Sequence, residues 1–359
     1  MANIFIHIGA HKAASTAIQS LLRQNKEALS LAGFSYFDKD HPQSEMLHIL
    51  VQAGHKKLQP STLSRLASDL RSKFELLLES SPSQNLIFSD ENFSGRMLGL
   101  QNTLYPFAGQ IAQVAQEAFS GHSVHPLIIL RRQDHYVESA FTFRLRFGFS
   151  GDMANFLGTI DPADLSWRKL VNAWEQRFGR ENVTVRLFET LISEPLAARL
   201  MLSQYLKADC IRGSLPKRNI GLNPLLANLL LDLRNNDLPP SNADVYSMHK
   251  ACLSYCDQAG HKHGVVSTEV VDSLINAALS NWEPMTALSK TKRAAVLKKL
   301  VESGVNFAQK VADGCSPHKL PEGVRSLLLA FYSSENTELC GDYGLSKEHA
   351  KHWAGTVRR

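Results

Sequence analysis

Four apolar runs of strand length, each followed by a long stretch of helical period, limit this chain to a narrow set of folds. They are Asn3 to Ile8, Leu86 to Phe88, Val124 to Leu130 and Val183 to Phe188. After the first, a short loop at 9–14 leads into Ile18, Leu21, Leu22 and Leu29. Those spacings are close to 3.6 and stop at Gly33. Strands joined by helical crossovers pair in parallel with right-handed connections, so an α/β sheet flanked by helices is expected. Residues 34–82 read as polar and helical in pieces, with Leu63, Leu66, Leu70, Phe74 and Leu77 on one face. Beyond residue 190 the pattern is almost wholly helical, over 190–206, 223–234, 242–258, 267–280, 290–312 and 322–340. The expected division is an α/β core over 1–206, with a helical insert at 34–82, and a helical region over 207–359.

Composition removes several functions. The chain has 359 residues and a formal charge of +5, without the concentrated Lys/Arg stripe of a nucleic-acid binder. No apolar window approaches the roughly 20 residues of a membrane span, and the start MANIFIHIGAHK lacks a signal peptide's basic leader. Five dispersed cysteines give no disulfide framework. A soluble, cytoplasmic protein is therefore expected. Cys252, Cys256, His249, His261 and His263 resemble a metal set, but cysteines four apart fit helix packing better. The basic run Lys290, Lys292, Arg293, Lys298 and Lys299 reads as a solvated helix face.

Ligands of open parallel sheets bind beyond the carboxyl ends of the strands. Three polar clusters fall there. Gly9-Ala10-His11-Lys12-Ala13-Ala14-Ser15-Thr16 combines small residues, a mobile cation, two hydroxyls and a helix start. A phosphate needs those groups. The cluster is not a Walker A loop, because Lys12 comes too early and the second glycine is missing. Arg131 and Arg132 end the third run, and Ser139 follows eight positions after Arg131. A guanidinium fork and a hydroxyl there converge on one phosphate, unless Asp134 or Glu138 neutralises the arginines. The third cluster is Ser89-Asp90-Glu91-Asn92. His7, between Ile6 and Ile8, reads as a satisfied core histidine.

Together these residues resemble the family of sulfotransferases that use 3′-phosphoadenosine 5′-phosphosulfate (PAPS). Lys12-Ala13-Ala14-Ser15-Thr16-Ala17 sits where that family carries its 5′-phosphosulfate loop, commonly K-T-G-T-T-S. Arg131 and Ser139 match the spacing of its 3′-phosphate site. Ile87-Phe88-Ser89-Asp90-Glu91, the stretch Trp174 through Glu189, and Phe331-Tyr332-Ser333-Ser334-Glu335-Asn336 are similar to bacterial members acting on carbohydrates or related small acceptors. The resemblance implies a P-loop NTPase-like sheet and PAPS as donor without a metal. It further implies transfer to a hydroxyl or amine of a glycan or small-molecule acceptor, with Lys12 meeting charge on the leaving phosphate and Glu91, or else His11, as general base. Ala13 and Ala14 depart from the family's Thr and Gly, and Ala14 stands where a left-handed residue is needed if the family's loop shape holds. A catalytically inactive nucleotide-binding protein of the same fold is the alternative, and a kinase-like enzyme a third. The C-terminal R-x-G-x-x-G-x-W-K loop of animal members is absent, with Lys217, Arg218 and Asn219 as candidates for its role.

Overall fold

A computed structural model describes residues 1–38, 41–100, 102–194, 196–216, 224–235, 238–258, 268–279, 282–312, 319–345 and 353. Lys217, Arg218, Asn219, His261 and His263 lie outside them. Five strands, β1 (Asn3–Gly9), β2 (Phe34–Asp38), β3 (Asn85–Ser89), β4 (Ser123–Leu130) and β5 (Thr184–Leu187), form one sheet in the order β2-β3-β1-β4-β5. Every pairing is parallel. This is a parallel α/β sheet flanked by helices, as expected.

The helices His48–Ala53 and Pro60–Ser80 fit the expectation that 34–82 is helical in pieces, but β2 is a strand that reading did not include. Gly33 turns the chain with φ 80°, and Phe34, Tyr36 and Phe37 are buried. An aromatic cluster of this kind favours a pleated, half-buried surface over a helix. Residues 190–206 also divide, into helices Phe188–Ser193 and Ala197–Leu206. Glu194 is extended, with φ −133° and ψ 142°, because Pro195 bars its predecessor from helical geometry.

The chain forms two compact units. The first comprises Met1–Tyr136, Ile160–Asn219 and Gly323–Arg359 and holds the whole sheet. Side chains alternate across β1: Ile4, Ile6 and Ile8 alternate with Phe5, His7 and Gly9. Phe74, Phe88 and Phe119 pack with ring centroids 4.8–6.5 Å apart. On the other face Tyr205 meets Phe5 edge-on at 5.4 Å.

The helix Glu322–Asp342 is fastened to this unit by polar contacts. The Leu165 N–H donates to Tyr332 Oη at 2.7 Å. Glu335 accepts from Ser166 Oγ at 2.6 Å and from the Arg168 N–H at 3.2 Å, so its carboxylate sits at the positive end of the helix Trp167–Phe178. Asn336, fully buried, exchanges two 3.0 Å hydrogen bonds with Gln133.

The second unit, Val137–Thr159 and Ile220–Glu322, has its own core of Leu229, Leu230, Leu233, Val271, Ile275 and Met285. Cys252 packs into it, while the side chain of Cys256 lies outside the described part. Arg234 donates to the carbonyls of Leu145 and Phe149, each at 2.7 Å. Along the helix Lys290–Ala312, four of the five residues of the basic run, Lys290, Lys292, Lys298 and Lys299, are exposed. Among the described residues no helix is long and apolar enough to cross a membrane, and no group of three or more His, Cys, Asp or Glu is placed to hold a metal ion.

Candidate active site

β1 and β4 lie side by side with Gly9 in register with Ile129. The loop after β1 and the residues after β4 therefore emerge next to each other. Gly9 stands at the mouth of the loop, where a methyl carbon would lie 1.9 Å from Ser15 Oγ and force that side chain to shift. The chain then turns through Lys12 (φ 65°) and Ala14 (φ 67°), both left-handed. Helix α1 (Ser15–Gln24) begins there with Ala14 as its N-cap and no side-chain capping bond. The Ala17 and Ile18 N–H groups both donate to the Ala14 carbonyl, at 2.9 and 3.0 Å, and the helix dipole makes this end positive.

The loop is left-handed at residue 14, the condition raised for the family's loop shape, and alanine adopts it at a cost. A left-handed residue with a Cβ is disfavoured by about 1–2 kcal/mol, offset in part by glycine's larger unfolded-state entropy. Ala14→Gly is expected to raise stability by about 0.5–1 kcal/mol without changing the loop. The midpoint of urea unfolding checks this, and a lowered midpoint would contradict it.

Arg131 Nη1 donates to the Lys12 carbonyl at 2.7 Å. Its guanidinium lies over the Phe188 ring, 4.6 Å from the centroid. The loop after β1 and the Arg131 end of β4 thus meet at neighbouring strand ends. Arg132, its chain neighbour, has a different fate. It is buried at 8% exposure and forks onto Asp134, with Nε to Oδ1 at 2.7 Å and Nη2 to Oδ2 at 2.9 Å. Arg132 is therefore part of the core and not of the ligand site. Ser139 lies about two turns into the helix Gln133–Arg146, half-buried. Tyr136 of that helix belongs to the first unit and Val137 to the second.

Glu91 opens a short 3-10 turn after β3, Glu91–Ser94, capped by Asp90. It accepts from Gln19 Nε2 of α1 at 3.0 Å. His11 is held by a directional network that the sequence did not disclose. Asn92 donates from Nδ2 to Asp90 Oδ1 at 2.8 Å, so its Oδ1 faces His11 Nε2 at 3.3 Å as acceptor. The His11 Nε2 then carries the proton, and Nδ1 accepts from Tyr105 Oη at 3.1 Å. The His11 main-chain N–H donates to the same phenol at 2.9 Å, and Tyr136 Oη stands 3.1 Å from it. Burial pushes the Tyr105 phenol up to about 12, so it remains a donor. Tyr105 lies in a stretch without a readable motif. Asn92 was visible as the end of the polar run 89–92.

His7 departs from the satisfied core histidine expected. It is 1% exposed, and Nδ1 lies 2.7 Å from Ser89 Oγ, but Nε2 has no partner. Burial lowers its pKa to about 4, against a smaller upward pull from Glu91, so the ring is neutral at pH 7. Ser15 Oγ is likewise buried without a hydrogen-bond partner.

No family model matches the chain, and no curated protein matches it. Among solved structures, a sulfotransferase from Alicyclobacillus acidocaldarius aligns with a TM-score of 0.37 and 14% identity, over 66% of this chain and 94% of that one.

Proposed function

We propose that the chain is a sulfotransferase moving a sulfuryl group from PAPS to a hydroxyl or amine of a carbohydrate or other small acceptor. The observation that carries this is the contact between Arg131 and the Lys12 carbonyl. It joins two cationic elements at adjacent strand ends, which supports assigning them to two phosphates of one nucleotide. The unpartnered Ser15 hydroxyl and the positive end of α1 suit a 5′-phosphate.

PAPS supplies a transferable sulfuryl group and a phosphate as leaving group. The chain's residues bind, orient and neutralise charge. Lys12 and the positive end of α1 meet the charge that grows on the leaving phosphate. Arg131 holds the 3′-phosphate. Glu91, at the end of β3, takes the acceptor's proton. His11 has its Nδ1 lone pair committed to Tyr105, which suits it to orienting the loop rather than accepting that proton.

Calorimetry tests donor class: 3′-phosphoadenosine 5′-phosphate should bind and ATP should not. Preference for ATP would end the proposal. Labelled PAPS offered with a panel of sugars and alcohols then separates an enzyme from the inactive nucleotide-binding alternative, which the strained Ala14 favours. Glu91→Ala should leave nucleotide affinity within about threefold and slow turnover by about 10²–10⁴. Unchanged turnover would remove Glu91 as the base.

A further inference from the structure

Ser15 Oγ and His7 Nε2 are both buried and both lack hydrogen-bond partners. They also share one place in the fold. A methyl carbon on Gly9 would stand 1.9 Å from the first and 3.3 Å from the second. Each belongs to a residue at least nine-tenths buried, with exposures of 5% and 1%. Unmet polar atoms in a dry site are costly, and proteins seldom leave two side by side.

The chemistry of the two groups defines what they do for each other. A serine hydroxyl has one proton and two lone pairs. If that proton goes to an anion at the start of α1, a lone pair on the oxygen is left for a donor from the protein. His7 is the neighbouring group able to supply one. Its other nitrogen, Nδ1, faces Ser89 Oγ at 2.7 Å. With Ser89 donating to Nδ1, the ring proton resides on Nε2, beside Ser15. Every hydrogen bond in the row then runs the same way, from Ser89 through His7 and Ser15 to the anion. Bonds aligned in this manner polarise and strengthen one another. A neutral imidazole passes on that direction without adding charge. Gly9, lacking a Cβ, leaves open the space that both groups border.

We propose that His7 is a positioning residue whose Nε2–H donates to the Ser15 hydroxyl and turns the Ser15 proton toward the 5′-phosphate of the bound nucleotide. This deepens, and rests on, the PAPS assignment above. His7 does not touch the nucleotide and acts only through Ser15.

The test uses the full chain and 3′-phosphoadenosine 5′-phosphate as probe. Long-range ¹H–¹⁵N spectra of the histidine rings should show His7 in the Nε2–H tautomer when the nucleotide is bound. An Nδ1–H tautomer would overturn the proposal, and this measurement needs no variant to fold. Calorimetry on Ser15→Ala, His7→Phe and the double variant supplies the second readout. Ser15→Ala should weaken binding about tenfold, and His7→Phe by a similar factor alone. In the Ser15→Ala background, His7→Phe should change affinity less than about twofold, because its route to the ligand is gone. Additive losses would overturn the proposal while leaving the PAPS assignment in place. Absence of nucleotide binding by the unaltered chain would end both.

Discussion

Asp134→Ala should lower the stability of the first unit by about 3–5 kcal/mol, the range for removing one partner of a buried ion pair. Asp134 is fully buried. It takes both prongs of the Arg132 fork, a hydrogen bond from Arg325 Nη1, and the His135 ring at 3.7 Å. Its loss takes both carboxylate contacts from Arg132, itself only 8% exposed, in a medium where weakening the partners of a cation is expensive. Nearby Glu189 does not replace it. Its Oε1 accepts from the Arg132 main-chain N–H at 3.1 Å and its Oε2 from Trp353 Nε1 at 2.8 Å. Three of the four tryptophans, Trp167, Trp174 and Trp353, belong to this unit, so tryptophan fluorescence during urea unfolding reads the transition. A loss under about 1 kcal/mol would show that the pair contributes little.

The same carboxylate sets a pH dependence. Burial by itself raises the pKa of Asp134, but hydrogen bonds from Arg132 and the charges of His135 and Arg132 outweigh it, and the net shift is downward from 3.8. A depressed folded pKa means the unfolded chain binds the proton more readily. Stability from this group is therefore complete above the ordinary value and lost as pH falls through the folded one. The acid limb of the stability curve should begin near pH 4 and run downward, and Asp134→Asn should flatten it. Glu189 is lowered as well, from 4.5, by its bonds to His135 and Trp353 against its burial, so some slope should survive that substitution.

The part of the fold that could be read from sequence was the part written in apolar runs. β1, β3, β4 and β5 each announce themselves by a short hydrophobic stretch next to a helical period. β2 does not, because Phe34-Ser35-Tyr36-Phe37-Asp38 is short, mixed and followed by polar residues. Its pairing with β3 decides its state, and that pairing is not local. Arg131 and Arg132 show the same limit at the level of side chains. Two adjacent arginines look alike in sequence, yet successive residues near a strand end point opposite ways. One meets the Lys12 loop and the other disappears into the Asp134 pair. The stretch 331–336 resembled a family signature, and three of its residues are fastenings: Tyr332, Glu335 and Asn336 tie their helix to Leu165, Ser166 and Gln133. The left-handed turn at Ala14 was legible as a demand of the loop. The idle nitrogen of His7 was not, since whether a buried imidazole is satisfied depends on atoms 8 and 82 residues away in sequence.

Lys12→Ala should reduce sulfuryl transfer about 10²–10³-fold, the loss found when one donor to a developing anion is removed. The substitution isolates the ammonium. Arg131 binds residue 12 through its main-chain carbonyl, which alanine retains. The left-handed backbone at φ 65° is equally strained for either side chain. Loop shape and the Arg131 contact should therefore persist, and the deficit should concentrate in the chemical step. Charge on the leaving phosphate grows only as the S–O bond breaks, so kcat should fall by more than the affinity for PAPS. Lys12→Arg should recover part of the rate, because a guanidinium keeps the charge with altered geometry. Rate constants from single-turnover experiments with labelled PAPS, set beside calorimetric affinities for 3′-phosphoadenosine 5′-phosphate, separate the two effects. A loss confined to binding would make Lys12 a nucleotide anchor and leave the leaving-group charge to the first turn of α1. A change below about threefold in both would remove Lys12 from the site altogether, and with it the main cation on which the 5′ side of the proposed site depends.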